Sequence, residues 1–147
     1  PVADASVDVI MSNCVINLAP EKRHVFSEIF RILKPGGRAV ISDIIAEDLS
    51  DAVRSDLRLH SCCVAGALSE SDYRAGLEQC GLVDVTIRKL YDLAAHQIDC
   101  LLDSDANGNR TDREKSGSHS ALAIEAACGQ VWSASISARK PPFNTHP

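Results

Sequence analysis

The sequence has no apolar run approaching the ~20 residues that cross a bilayer, which excludes a membrane-spanning helix. It has no excess of positive charge either: 15 Lys and Arg stand against 20 Asp and Glu, a net charge of −5. Without a Lys/Arg stripe there is no electrostatic footprint for phosphate backbones, so neither nucleic acid nor a membrane is an expected partner. A small substrate or a protein is. Proline and glycine are sparse, six and eight in 147 residues, which excludes a collagen-like chain. The chain shows no charged leader followed by an apolar segment, so nothing in it reads as a secretory signal. It opens with Pro1-Val2-Ala3-Asp4 and no Met, and the expectation is a piece of a longer protein.

Cysteine is what the sequence has in quantity. Cys14, Cys62, Cys63, Cys80, Cys100 and Cys128 are spaced too irregularly for a paired zinc ribbon or a dense disulfide lattice. With no secretory signal, the simpler inference is reduced thiols in a reducing, cytoplasmic compartment. A reduced cysteine is most often a small buried apolar residue, so any chemical role must come from its context.

The apolar pattern is that of an α/β domain. Residues 6–13 cluster β-branched and apolar side chains and end at Ser12-Asn13, which reads as a strand. Pro20 and Glu21 suit a first helical turn, and Val25, Phe26, Ile29, Phe30 and Leu33 fall on one helical face. Pro35-Gly36-Gly37 stops that helix and residues 38–45 resume an extended run. A strand, helix, strand unit of this length predicts two neighbouring parallel strands. Ser50 is placed to cap a short helix carrying Val53 and Leu57, and the small, apolar residues 60–68 should pack closely. Ser69 and Asp72 make a capping box for a helix carrying Tyr73, Leu77 and Cys80, which Gly81 ends. Val83, Val85 and Ile87 alternate as one face of a strand, and Trp132, Ala134, Ile136 and Ala138 alternate with serines as a last one. Residues 103–120 are polar and read as a loop.

Ser12-Asn13-Cys14-Val15-Ile16-Asn17-Leu18-Ala19-Pro20-Glu21-Lys22, followed by Leu33-Lys34-Pro35-Gly36-Gly37 and Ser42-Asp43, resembles the C-terminal half of class I S-adenosylmethionine-dependent methyltransferases. The Ser-Asn-Cys-Val-Ile-Asn-Leu run, with Cys63-Val64-Ala65-Gly66-Ala67-Leu68, resembles more narrowly the arsenite methyltransferases. That resemblance covers residues 6–90 and, weakly, 131–140. It implies a Rossmann-like α/β methyltransferase fold with a mostly parallel sheet, partial because the N-terminal strands are absent. Residues 1–90 would be the C-terminal half of the core, 91–130 a variable, partly flexible segment, and 131–147 the last strand and tail. The glycine-rich loop, the acidic residue that holds the cofactor ribose and a further arsenic-binding cysteine would all lie upstream of Pro1. An uncovered apolar face and exposed strand edges would then favour self-association.

The implied function is methylation, in arsenic detoxification, of trivalent arsenic (arsenite or a methylated arsenical) held by the thiolates of Cys14 and Cys63. S-adenosylmethionine would be the methyl donor, with Ser12 and Asn13 lining its pocket, and a thiol reductant, glutathione or thioredoxin, would restore the cycle. The strand order implied by the pattern supports the pairing, because Cys14 follows the carboxyl end of one parallel strand and Cys63 lies beyond the next, where open α/β sheets bind ligands. A soft, thiophilic centre prefers thiolates to carboxylates or imidazoles.

Other readings stay open. Cys62 could replace Cys63, Cys80 fits an apolar helix face, and Cys100 and Cys128 have no motif of their own. His24 lies among charged residues and reads as solvated, His60 is close enough in sequence to tune Cys63, and Asp43 either lines the same rim or caps a turn. The residues from Asp103 to Glu114 match a calcium-loop pattern in a poor context, with Arg110 at an aliphatic position. A small-molecule C- or O-methyltransferase and a non-catalytic thiol module that binds metalloids are the alternative functions.

Overall fold

The computed structural model describes residues 2–55, 63–93 and 130–142. Strand β1 (Val7–Asn13) leads through a single 3-10 turn (Ile16–Leu18) into helix α1 (Lys22–Ile32), and β2 (Leu33–Ala46) follows directly. Helix α2 (Asp51–Arg54) and helix α3 (Glu70–Gln79) come next, then β3 (Val83–Asp92) and β4 (Val131–Arg139). Helix α1 begins after Pro20, with Glu21 at its N-cap and without a side-chain cap. Its apolar face is the expected one: Phe26 and Ile29 are buried, Val25 and Phe30 partly so, and Leu33 is buried immediately beyond its end. Ser50 caps α2 and Ser69 caps α3, each hydroxyl accepting from the backbone N–H three residues on. Gly81, at φ +94, takes the left-handed conformation that closes α3.

The strands lie in the order β1-β2-β4-β3. β1 and β2 pair in parallel, as the strand, helix, strand pattern predicts, but β4 pairs antiparallel with both β2 and β3. The expected mostly parallel sheet is therefore mixed: β1, β2 and β3 share one direction and β4 is inserted against it. Helices α1 and α3 cover one face, packing on Ala39, Ile41 and Ile45 of β2 and on Ala134, Ile136 and Ala138 of β4. On the opposite face Met11 is 81% exposed.

Two details depart from the sequence reading. Val83 is exposed although it alternates with Val85 and Ile87, because the register slips between Val83 and Thr86 and Asp84 takes a positive φ. One extra residue in a strand reverses the face of everything before it. The helical stop at Pro35-Gly36-Gly37 also lies inside β2, bulged out between the Val7↔Leu33 and Val9↔Arg38 pairs, with Gly36 at φ +80. Leu57, His60, Cys62, Cys100, Cys128 and the Asp103–Glu114 loop lie outside the described residues, as does most of the segment 91–130. No described helix is long and apolar enough to cross a membrane.

The end of β4 is tied to α1 by Lys140. Its Nζ donates to the carbonyls of Phe30 and Leu33 at 2.7 and 2.8 Å and stands 4.4 Å from the centre of the Phe30 ring. A cation there satisfies carbonyls at a helix C-terminus and meets the negative end of the helix dipole.

The two helices meet at Gly76, where an added Cβ would lie 2.6 Å from the buried Phe26 ring. Alanine normally stabilises a helix by about 1 kcal/mol over glycine, but overpacking a fixed ring costs about 1–3 kcal/mol. Gly76→Ala is expected to lower the urea midpoint of unfolding. A raised midpoint would contradict this packing.

Candidate functional site

Cys14 leaves β1 with its N–H on the Ser42 carbonyl of β2 at 2.8 Å, and its φ of 51 turns the chain out of the sheet. The segment that follows Cys63 runs beside the end of β2, where Ala46 N–H donates to the Leu68 carbonyl at 3.0 Å and Ile45 bridges Leu68 in parallel. The Cys63 thiol donates to the Cys14 carbonyl at 2.9 Å. Cys14 also packs against the buried cluster of Val53, Cys63, Val64, Ala65 and Ala67. Two cysteines 49 positions apart thus meet at the carboxyl ends of β1 and β2, the rim along which open α/β sheets bind ligands.

Cys14, Cys63 and Cys80 all carry thiols rather than disulfides. Cys80 packs on the other apolar cluster, partly buried at the C-cap of α3, with its Sγ 3.5 Å from the Ser27 hydroxyl. Burial raises the Cys14 pKa above the ordinary thiol value, and the charge of Asp43 raises it further, while the hydrogen bond with Cys63 opposes both. Burial thus favours the protonated thiol at Cys14. His24 is exposed, as its charged neighbours imply. Among the described residues no group of three or more His, Cys, Asp or Glu side chains is arranged to hold a metal ion.

Behind the thiols lies a buried polar network built on Asp43, which is 2% exposed. Oδ1 accepts from Asn17 Nδ2 and from Ile44 N–H, both at 2.9 Å, and Oδ2 accepts from the Tyr73 hydroxyl at 3.3 Å. Asn17 uses its second amide hydrogen on the Ile44 carbonyl at 2.7 Å. Asp43 is therefore neither an open rim residue nor a simple turn cap. Burial pushes its carboxyl up to about 6, against the hydrogen bonds and the nearby Lys22, which favour the charged form. Burial likewise lowers Lys22, and burial first, then the Asp43 charge, raises Tyr73. Asn17 and Tyr73 stand in the sequence only as part of a motif and of an apolar helix face, and nothing local marks them as partners of Asp43.

Ser12 and Asn13 are the last two residues of β1. With Met11, Val40, Ile41, Ser42 and Ser135 they line a hollow of about 270 Å³. The Ser12 Oγ is buried there without a hydrogen-bond partner. An orphaned hydroxyl fits one polar group of a ligand, and the hollow is small for a whole nucleoside cofactor.

Comparison with known proteins places the chain in a family. Residues 1–96 match the methyltransferase-domain family. The chain is 48% identical over 88 residues to the arsenite methyltransferase of Halobacterium salinarum, covering 59% of this chain and 22% of that protein. It is 46% identical over 83 residues to the arsenite methyltransferase of Aquipseudomonas alcaligenes, covering 56% and 24%. The structure is similar, at a TM-score of 0.62 and 26% identity, to an arsenic(III) S-adenosylmethionine methyltransferase from Chlamydomonas reinhardtii, covering 99% of this chain and 41% of that one. The chain thus spans about a quarter or less of the curated relatives' length.

The raised Asp43 pKa has a sign that can be measured. From its ordinary value of 3.8 to about 6, the folded protein keeps a proton that the unfolded chain loses. Stability therefore falls as pH rises through that window and is level above it, the difference being on the order of 2–3 kcal/mol. Asp43→Asn keeps the acceptor for Asn17 and Ile44 and has nothing to ionise. Urea unfolding should show the variant gaining on the wild type between pH 4 and 6.5; a constant difference would refute a buried, reluctantly ionised carboxyl.

Proposed function

Because this chain belongs to the methyltransferase-domain family, we propose that it forms part of an S-adenosylmethionine-dependent enzyme that methylates trivalent arsenic held between Cys14 and Cys63. The observation that carries this reading is the meeting of the two cysteines: the Cys63 thiol donates to the Cys14 carbonyl at 2.9 Å, although the residues are far apart in sequence. Trivalent arsenic is soft and thiophilic, and two sulfurs converging on one rim can chelate it. The likeness to arsenite methyltransferases, which in the solved structure extends over 99% of this chain, supports the same assignment.

Burial that favours the protonated thiol at Cys14 suits this substrate. Arsenite carries hydroxyl groups, so each thiol that bonds to arsenic gives its proton to a departing hydroxyl, which leaves as water. Two As–S bonds replace two As–O bonds, with no change of oxidation state. The cofactor supplies an electrophilic methyl group, and Ser12 and Asn13 are the residues of this chain proposed to line its pocket. The arsenic lone pair is the nucleophile, so no general base is required, and the task of the protein is to hold arsenic in line with the methyl carbon. Methylation leaves arsenic formally oxidised, and a thiol reductant, glutathione or thioredoxin, would return it to the trivalent state.

Arsenite titration under reducing conditions, read by native mass spectrometry, tests the thiol site. One arsenic per chain is expected, with affinity at least tenfold weaker in both Cys14→Ser and Cys63→Ser and unchanged in Cys80→Ser. Binding indifferent to the first two substitutions would overturn the assignment.

A further inference from the structure

A single 3-10 turn connects the Cys14 end of β1 to α1, and little holds it from within. It spans Ile16–Leu18, has no side-chain cap, and its backbone bonds are Leu18 N–H to Val15 and Ala19 N–H to Ile16. So short a turn is not stable alone. It is anchored by Ile16, buried in the core under the helices, and by Asn17, which is fully buried and gives both amide hydrogens to β2, one to the Asp43 carboxyl and one to the Ile44 carbonyl. Asp43 in turn takes the Tyr73 hydroxyl from α3, so the turn, the central strand and a helix are joined through one carboxyl. Lys22 closes the far end of the connection on the Ala19 carbonyl at 3.2 Å.

Cys14 lies three residues before Asn17, and the Ser42 carbonyl that receives its N–H belongs to the residue before Asp43. The Cys63 thiol is then set by the Cys14 carbonyl. We propose that Asn17, through Asp43 and Tyr73, is a positioning residue that fixes the Cys14 thiol against β2 and so sets the geometry of the Cys14–Cys63 pair. The inference rests on reading those two cysteines as the thiol site, and it assigns a task to polar groups that touch neither substrate nor cofactor. A purely structural network would hold the domain together; a positioning network acts on Cys14 selectively.

Cys80 supplies the internal reference, since it is the C-cap of α3 and its Sγ lies against the Ser27 hydroxyl of α1. Alkylation of the full chain, resolved by residue with mass spectrometry, should show Cys14 reacting at least tenfold faster in Asn17→Leu while the Cys80 rate stays unchanged. Arsenite affinity of the same variant should fall at least tenfold. Tyr73→Phe, which removes one hydroxyl, should move Cys14 the same way by less, and it carries the comparison should Asn17→Leu not fold. Unchanged Cys14 rates, or Cys14 and Cys80 rising together, would overturn the inference. Wild-type protein that binds no arsenite would sink the proposed function, and the ratio of the two rates would still decide the role of Asn17.

Discussion

The ladder between β2 and β4, unbroken from Arg38↔Arg139 to Ala46↔Val131, places a strand from the far end of the chain in the middle of the sheet. With β1 on its other edge, β2 is hydrogen-bonded on both sides and becomes the fixed element to which the rest refers. Its Ala39, Ile41 and Ile45 receive the two helices, its Ser42 carbonyl receives Cys14, and its end receives the segment after Cys63. Lys140, just beyond β4, then fastens α1 at its C-terminus, so the ladder also sets where that helix stops.

Asp43 lies on the helix-facing side of this strand, and its burial is a balance of opposing terms. Removing a carboxylate from water is expensive, and the hydrogen bonds from Asn17, Ile44 N–H and Tyr73 offset part of that expense. They do not offset all of it, which is why the proton is held to about pH 6. An apolar residue would be cheaper here but could not collect a turn and a helix on one side chain. Directional polar contacts give a fixed arrangement where apolar packing alone would tolerate several.

Most local elements were legible in the sequence because each rests on a periodicity or a cap. The faces of α1 and α3, the serine caps of α2 and α3, and the alternation of β4 follow from spacing alone. The strand order was not legible, since β4 pairs across a long separation and its alternating pattern fits either direction. The Val83 error has the same root: a bulge is one residue of slippage, and Asp84 offers no local sign of it. Cys14 and Cys63 stood out by motif. Asn17 and Tyr73 did not, because their partner Asp43 lies 26 residues from the first and 30 from the second.

The conformation of the two cysteines carries the argument one step further. Both lie at positive φ, 51 for Cys14 and 64 for Cys63, where a side chain with a Cβ is disfavoured by roughly 1–3 kcal/mol. Glycine would relieve that strain at either place and would remove the thiol. Such a conformation persists only where surrounding contacts over-determine it. Here those contacts are known: the Ser42 carbonyl and the Asn17 anchor on one side, the buried Val64, Ala65 and Ala67 on the other. Two cysteines kept in a geometry that the backbone alone would abandon are held there by their surroundings. Under the proposed function their thiols would be preorganised donors, and arsenic binding between them would spend little of its bond energy on ordering the protein.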